Sequence, residues 1–142
     1  MPMGRFLRML DDSGENLMVF REGDIIFISS GRGVSPLLEV IEEIGVDQLR
    51  GVVTADRVVG KAAALLNIYM GASEVHAMVI SEAAKKALVN NGVGYEFWEE
   101  TEAIKEKDGV IFCPFERLVQ DIDDPAEAYG AIRVKLADIR SA

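Results

Sequence analysis

Thr54-Ala-Asp-Arg-Val-Val-Gly-Lys-Ala-Ala-Ala-Leu-Leu66 is the stretch on which the reading of this chain turns. A short apolar run, Gly51-Val52-Val53, leads into it as a strand, and an alanine-rich helix leads out of it to about Met70, stopping at Gly71. Asp56 stands at the junction as an N-cap type, because its short side chain accepts from the orphan N–H groups of a first helical turn. Gly60 is the discordant residue, since glycine inside a helix costs roughly 1 kcal/mol against alanine. Close approach of a ligand or of another backbone would account for it. Lys61 adds a cation where a helix N-terminus already favours anions. Two readings stay open: an anion-binding junction, or a capped core helix with a close-packed glycine and a solvated lysine.

Upstream, Asn16–Phe20 and Asp24–Ser30 are strand-like runs separated by Arg21-Glu22-Gly23, which predicts an antiparallel hairpin. Gly31-Arg32-Gly33-Val34 follows as a loop. Ser35 as cap and Pro36 at the first helical position then open a helix whose apolar face is Leu37, Leu38, Ile41 and Ile44, with Gly45 as its stop. Downstream, Val75–Ile80 is a continuous apolar run, as expected of a parallel strand buried on both faces. Ser81 caps a helix over Glu82–Asn90, ended by Asn91-Gly92, and Tyr95–Trp98 reads as a last core strand. The charged stretch Glu99–Asp108 is expected to be helical and solvated, and Val110–Phe112 is a short apolar run. A helical pattern runs from Cys113-Pro114-Phe115-Glu116 to Val119. Asp124-Pro125-Ala126-Glu127 resembles a capping box that opens a terminal helix carrying Tyr129, Ile132, Leu136 and Ile139 on one side. Strands alternating with helices favour a mostly parallel sheet covered on both faces, made mixed by the hairpin.

The 142 residues suit one domain: residues 1–14 as a lead-in with one helical turn at Arg5–Leu10, then 15–142, with a helical extension from about residue 113. Acids outnumber lysine and arginine by 24 to 15, a net charge of −9, which argues against a nucleic-acid partner. No apolar run reaches membrane-spanning length, and the first residues turn acidic too soon for a signal peptide. No membrane partner is expected. One cysteine, Cys113, rules out an internal disulfide, and the expected location is cytoplasmic.

Four segments, G-R-G-V-S-P-L-L (31–38), D-R-V-V-G-K-A-A-A-L-L (56–66), V-I-S-E-A-A (79–84) and C-P-F-E (113–116), together resemble a small bacterial and archaeal family, a domain of unknown function assigned to the cytidine-deaminase-like fold. The resemblance runs from about Leu17 to Leu118. It implies an α/β fold of three layers, α/β/α, with a mixed sheet, an N-terminal hairpin and helices on both faces. Zinc deaminases place His-x-Glu and Pro-Cys-x-x-Cys at two helix starts. The matching positions here, Gly33–Pro36 and Asp56–Gly60, hold neither histidine nor cysteine. The resemblance therefore implies lost deamination, no metal and no cofactor.

The same resemblance sets the two helix starts face to face, so that Arg32, Gly33, Ser35, Asp56, Arg57, Gly60 and Lys61 would hold a nucleotide-like or other phosphorylated small molecule. Asp56 would accept from a ribose hydroxyl or a base amine. In the bland reading Arg32 and Arg57 are solvated charges and Asp56 is only a cap. An alternative makes the protein a metal-independent enzyme on a nucleotide or ADP-ribose-like substrate, with Asp56 as nucleophile or base and Lys61 stabilising developing charge. A further alternative is a structural subunit of a homo-oligomer, marked by an exposed Tyr129–Ile132–Leu136–Ile139 stripe and no open cleft. His76, inside a strand, reads as structural. Cys113 reads as a buried structural thiol against a nucleophile at a helix start, with Cys113 and Glu116 as a wall of the cleft. Glu99, Glu100, Glu102 and Glu106 read as a solvated face, and Tyr95, Phe97 and Trp98 as core.

Overall fold

The hairpin turns at Glu22 and Gly23, both at positive φ (51° and 85°), as a two-residue turn of this hand requires. It joins β1 (Leu17–Arg21) to β2 (Asp24–Ser29) in an antiparallel pair. The structure, a computed structural model, describes residues 4–103 and 114–141. It is an α/β fold built on one mixed sheet of five strands in the order β2-β1-β3-β4-β5, where β3 is Val53–Val59, β4 Glu74–Ser81 and β5 Gly94–Thr101. β1 is antiparallel to β2 and β3, and β3, β4 and β5 are mutually parallel. Every strand except β1 therefore ends at the same edge of the sheet, and the helices that follow begin there.

Those helices are α2 (Ser35–Ile44), α4 (Lys61–Tyr69) and α5 (Glu82–Asn90), with the single turn α3 (Val46–Leu49) ahead of β3. They bury one sheet face, in a core that joins Leu17 and Val19 of β1 to Leu37 and Leu38 of α2 and to Leu65 and Leu66 of α4. α4 is buried almost all round, from Ala62 to Asn67, which is what its apolar sequence on every side demands. Its one interior side-chain amide is bonded at both its nitrogen and its oxygen. Asn67 donates to the Ala63 carbonyl (2.9 Å) and accepts from the Thr54 hydroxyl (2.7 Å). The last helix, α7 (Pro125–Ser141), lies against α4, with Tyr129 stacked on Tyr69 at 4.3 Å and Ile132 in the core. The N-cap half of the expected capping box opens it: the Glu127 N–H donates to Asp124 Oδ2 at 2.8 Å.

The other sheet face is covered by α1 (Arg5–Ser13), a nine-residue helix where a single turn was expected. Leu7 and Leu10 pack there with Met18, Phe20, Ala55 and Met78. Alternation along β1 supplies both cores, since neighbouring residues of a strand point to opposite faces.

Several expectations need correction. Thr54–Val59 is the body of β3, and the helix begins only at Lys61. Its β-branched residues, Val53, Thr54, Val58 and Val59, win over the helix-start signal of Asp56. Asp56 therefore caps nothing. Ser35 caps nothing either: Val34 is the N-cap residue of α2, and Ser35 Oγ accepts from Arg140 of α7 at 2.9 Å. Glu99–Thr101 continue β5 rather than starting a helix. β5 is an edge strand, so Trp98 is 53% exposed instead of core. Ser81, by contrast, caps α5 as expected, its hydroxyl accepting from the Ala84 N–H at 3.1 Å. Glu106, the run 110–112 and Cys113 lie outside the described residues.

Candidate functional site

At the edge where β2 and β3 end, a cavity of about 430 Å³ opens between the starts of α2 and α4. Volumes of this size are those of small-molecule pockets. The glycine-rich loop 31–34 forms one wall, held at its base by Asn16, whose amide donates to the carbonyls of Ser30 and Gly31 (2.9 Å each). The end of β3 and the first turn of α4 form the other wall.

Asp56 is the chemically distinctive group. It is paired in the ladder with Leu17 and Ala77, so its place in the middle of a sheet is fixed on both sides. Only 7% of it is exposed, and it lines the cavity. Burial pushes its carboxyl up from 3.8 to about 7, and the backbone N–H groups of Val58 and Arg57 only partly oppose that. No ion-pair partner reaches it among the described residues.

Gly60 is the N-cap residue of α4, and its missing side chain has a use. A Cβ there would lie 2.6 Å from Cδ and 2.8 Å from Oε2 of Glu116, so the carboxylate rests on the glycine. Glu116, on the short helix α6 (Pro114–Leu118), thereby accepts from the Lys61 N–H (Oε1, 2.7 Å) and the Ala62 N–H (Oε2, 2.8 Å). The helix that carries no cap of its own is capped from 55 residues away.

Of the residues singled out from sequence, Arg32, Gly33, Asp56, Arg57, Gly60 and Glu116 line this one cavity. Ser35 and Lys61 are not among its lining. Lys61 turns away, pairing with Asp123 (2.9 Å) and donating to the Gln120 carbonyl (3.2 Å). The Arg57 guanidinium is drawn off too, with Nε on the Glu15 carbonyl (2.8 Å) and Nη1 against the Met78 sulfur (3.5 Å). Arg32 is thus the cation presented at the mouth. Sequence reasoning missed Asn16, Gly31, Val34, Pro36, Val58 and Ala63 as lining residues. Only Asn16 carried a local signal, as a polar residue directly before a strand.

His76 lies elsewhere, on the α1 side of β4. Its ring sits 5.0 Å from Phe6, with Nδ1 3.3 Å from Glu96 and Nε2 3.5 Å from Glu74. The two carboxylates face opposite nitrogens and cannot share one metal ion with it. Among the described residues no group of three His, Cys, Asp or Glu side chains is arranged to hold one. No described helix is long and apolar enough to cross a membrane.

A family profile for a domain of unknown function, DUF1893 (TM1506), matches residues 6–136. The chain belongs to the DUF1893 family. Among solved structures it is similar to a DUF1893 protein (TM1506) from Thermotoga maritima, at 33% sequence identity and a TM-score of 0.82. That alignment covers 91% of this chain and 86% of the other. No curated protein matches the chain. The family match takes in the whole of this DUF1893 cavity, from Asn16 to Glu116.

Proposed function

We propose that this protein binds a nucleotide-like or otherwise phosphorylated small molecule in the cavity between α2 and α4, on a cytidine-deaminase-like frame that does without zinc. The observation that carries the reading is a nearly buried carboxyl with no ion-pair partner among the described residues, Asp56, which lines a cavity of about 430 Å³ together with the exposed Arg32. A carboxyl titrating near neutrality can donate as well as accept, which suits the mixed donor and acceptor edge of a base or the hydroxyls of a ribose. Arg32 suits an anionic group at the mouth, as a planar fork matches phosphate oxygens. The net charge of −9 disfavours long polyanions such as nucleic acid, so the ligand is a small molecule held by local donors.

One observation favours a second reading. A carboxyl poised near pH 7 has the property a general base or acid needs, so Asp56 would also serve a metal-independent reaction on such a ligand. The subunit reading has less support: Ile132 is buried and Tyr129 is stacked on Tyr69, leaving Ile139 as the exposed end of the stripe.

Titration calorimetry with AMP tests the proposal on wild type, Arg32→Ala and Asp56→Asn. Saturable binding that weakens by about tenfold or more in Arg32→Ala is expected, roughly the loss of one charged contact. Asp56→Asn should bind within several-fold of wild type. No saturable binding to wild type at millimolar AMP would sink the reading.

A further inference from the structure

Glu116 faces two cavities. On one side it lines the space between α2 and α4. On the other it lines a second cavity of about 270 Å³ with Lys61, Lys86, Asn90, Gln120 and Asp123. Among the described residues it is the one side chain common to both linings. We propose that Glu116 is a gate between them, and that the joined space takes a ligand with an extended polyanionic arm, a di- or triphosphate, whose far end lies against Lys61 and Lys86. The inference rests on the reading of the first cavity as the seat of a nucleotide-like ligand, and it names the class of nucleotide.

The gate is made of one flexible side chain over a residue that has none. Glu116 covers Gly60, and only its two bonds to the N–H groups of Lys61 and Ala62 are seen to hold it there. A phosphate crossing at that point exchanges one anion for another, so the two N–H donors stay satisfied and the exchange costs little. Beyond the gate the cations are in place. Lys61 is held by Asp123, whose side chain is 93% exposed, and a surface partner of that kind is cheaply replaced. Lys86 forms no ion pair among the described residues. The first cavity offers Arg32, but its lining also carries Glu116, a poor neighbour for a terminal phosphate. A monophosphate needs only Arg32, whereas a longer arm must pass the gate.

The test compares AMP with ATP, both without divalent metal, by calorimetry on wild type, Glu116→Ala and Lys86→Met. ATP should bind wild type about tenfold or more tighter than AMP. Glu116→Ala should widen that ratio by about threefold or more by removing the competing carboxylate. Lys86→Met, an exposed substitution that leaves folding alone, should weaken ATP by about fivefold and leave AMP unchanged. If Glu116→Ala disturbs α6 in its circular dichroism, the Lys86→Met comparison decides. Equal affinity for AMP and ATP in wild type, or an equal loss of both in Lys86→Met, overturns the gate and leaves the first cavity standing. Failure of both nucleotides to bind any of the three proteins overturns both.

Discussion

Replacing Asp56 by asparagine should make the protein more stable in mild alkali than wild type, and the gap should close in acid. Burial raises this carboxyl from 3.8 to about 7, so between those values the native state keeps a proton that the unfolded chain has released. A carboxyl whose folded pKa lies above its unfolded one favours the native state at low pH, and that advantage is lost as pH rises through about 7. Each pH unit inside the window is worth about 1.4 kcal/mol. Wild type should therefore lose ~3 kcal/mol against Asp56→Asn between about pH 4.5 and pH 8. Asparagine keeps the shape and has no proton to lose, so the other acids cancel in the comparison. Urea unfolding of both proteins by far-UV circular dichroism, at half-unit steps of pH, reads the difference directly. A difference flat to within about 0.5 kcal/mol across that range would refute the reasoning, because Asp56 would then ionise in the fold as easily as outside it.

The contact between Glu116 and Gly60 yields a second expectation. Gly60→Ala should cost about 2 kcal/mol by driving the carboxylate off two N–H donors. Its backbone, at φ −94° and ψ −174°, is extended and open to any residue, so strain adds nothing. In a Glu116→Ala background the same change should be neutral or slightly stabilising, and thermal melts of all four proteins would show it; an equal cost in both backgrounds would count against the contact. Leu10→Ala, in the helix α1, should cost about 2–5 kcal/mol as a core truncation, because Leu10 is fully buried against the sheet. A loss under about 1 kcal/mol in the same melts would mean that α1 is only loosely attached.

What the sequence disclosed depended on the distance between a signal and its effect. Ser81 before α5, Gly45 after α2, Glu22-Gly23 in the hairpin and Asp124 before α7 act on their own neighbours, and each is found where local chemistry puts it. Asp56 misled because a carboxylate near a helix start looks like a cap from nearby in sequence. Its true company, Leu17 on one side and Ala77 on the other, comes from strands distant in the chain. The cap of α4 could not be read at all, because its donors and Glu116 meet only through the fold. Gly60 was legible as a place of close approach, though not as the seat of a side chain from α6. Lys61 showed its charge but not its direction, which Asp123 decides.

The outermost strand, β5, ends the sheet with Phe97 and Trp98 exposed and, among the described residues, no strand on its outer side. An open apolar edge of that kind is a template on which a second chain can add its own strand and start an aggregate. Here the same edge carries Glu96, Glu99 and Glu100, and Lys85 lies across it, paired with Glu100 at 2.8 Å and placed 5.1 Å over the Phe97 ring. Like charges meeting strand against strand repel, so this acidic border keeps sheets from stacking edge to edge. The protection lasts as long as the carboxylates are ionised, and it is strongest at low salt, where their repulsion is least screened.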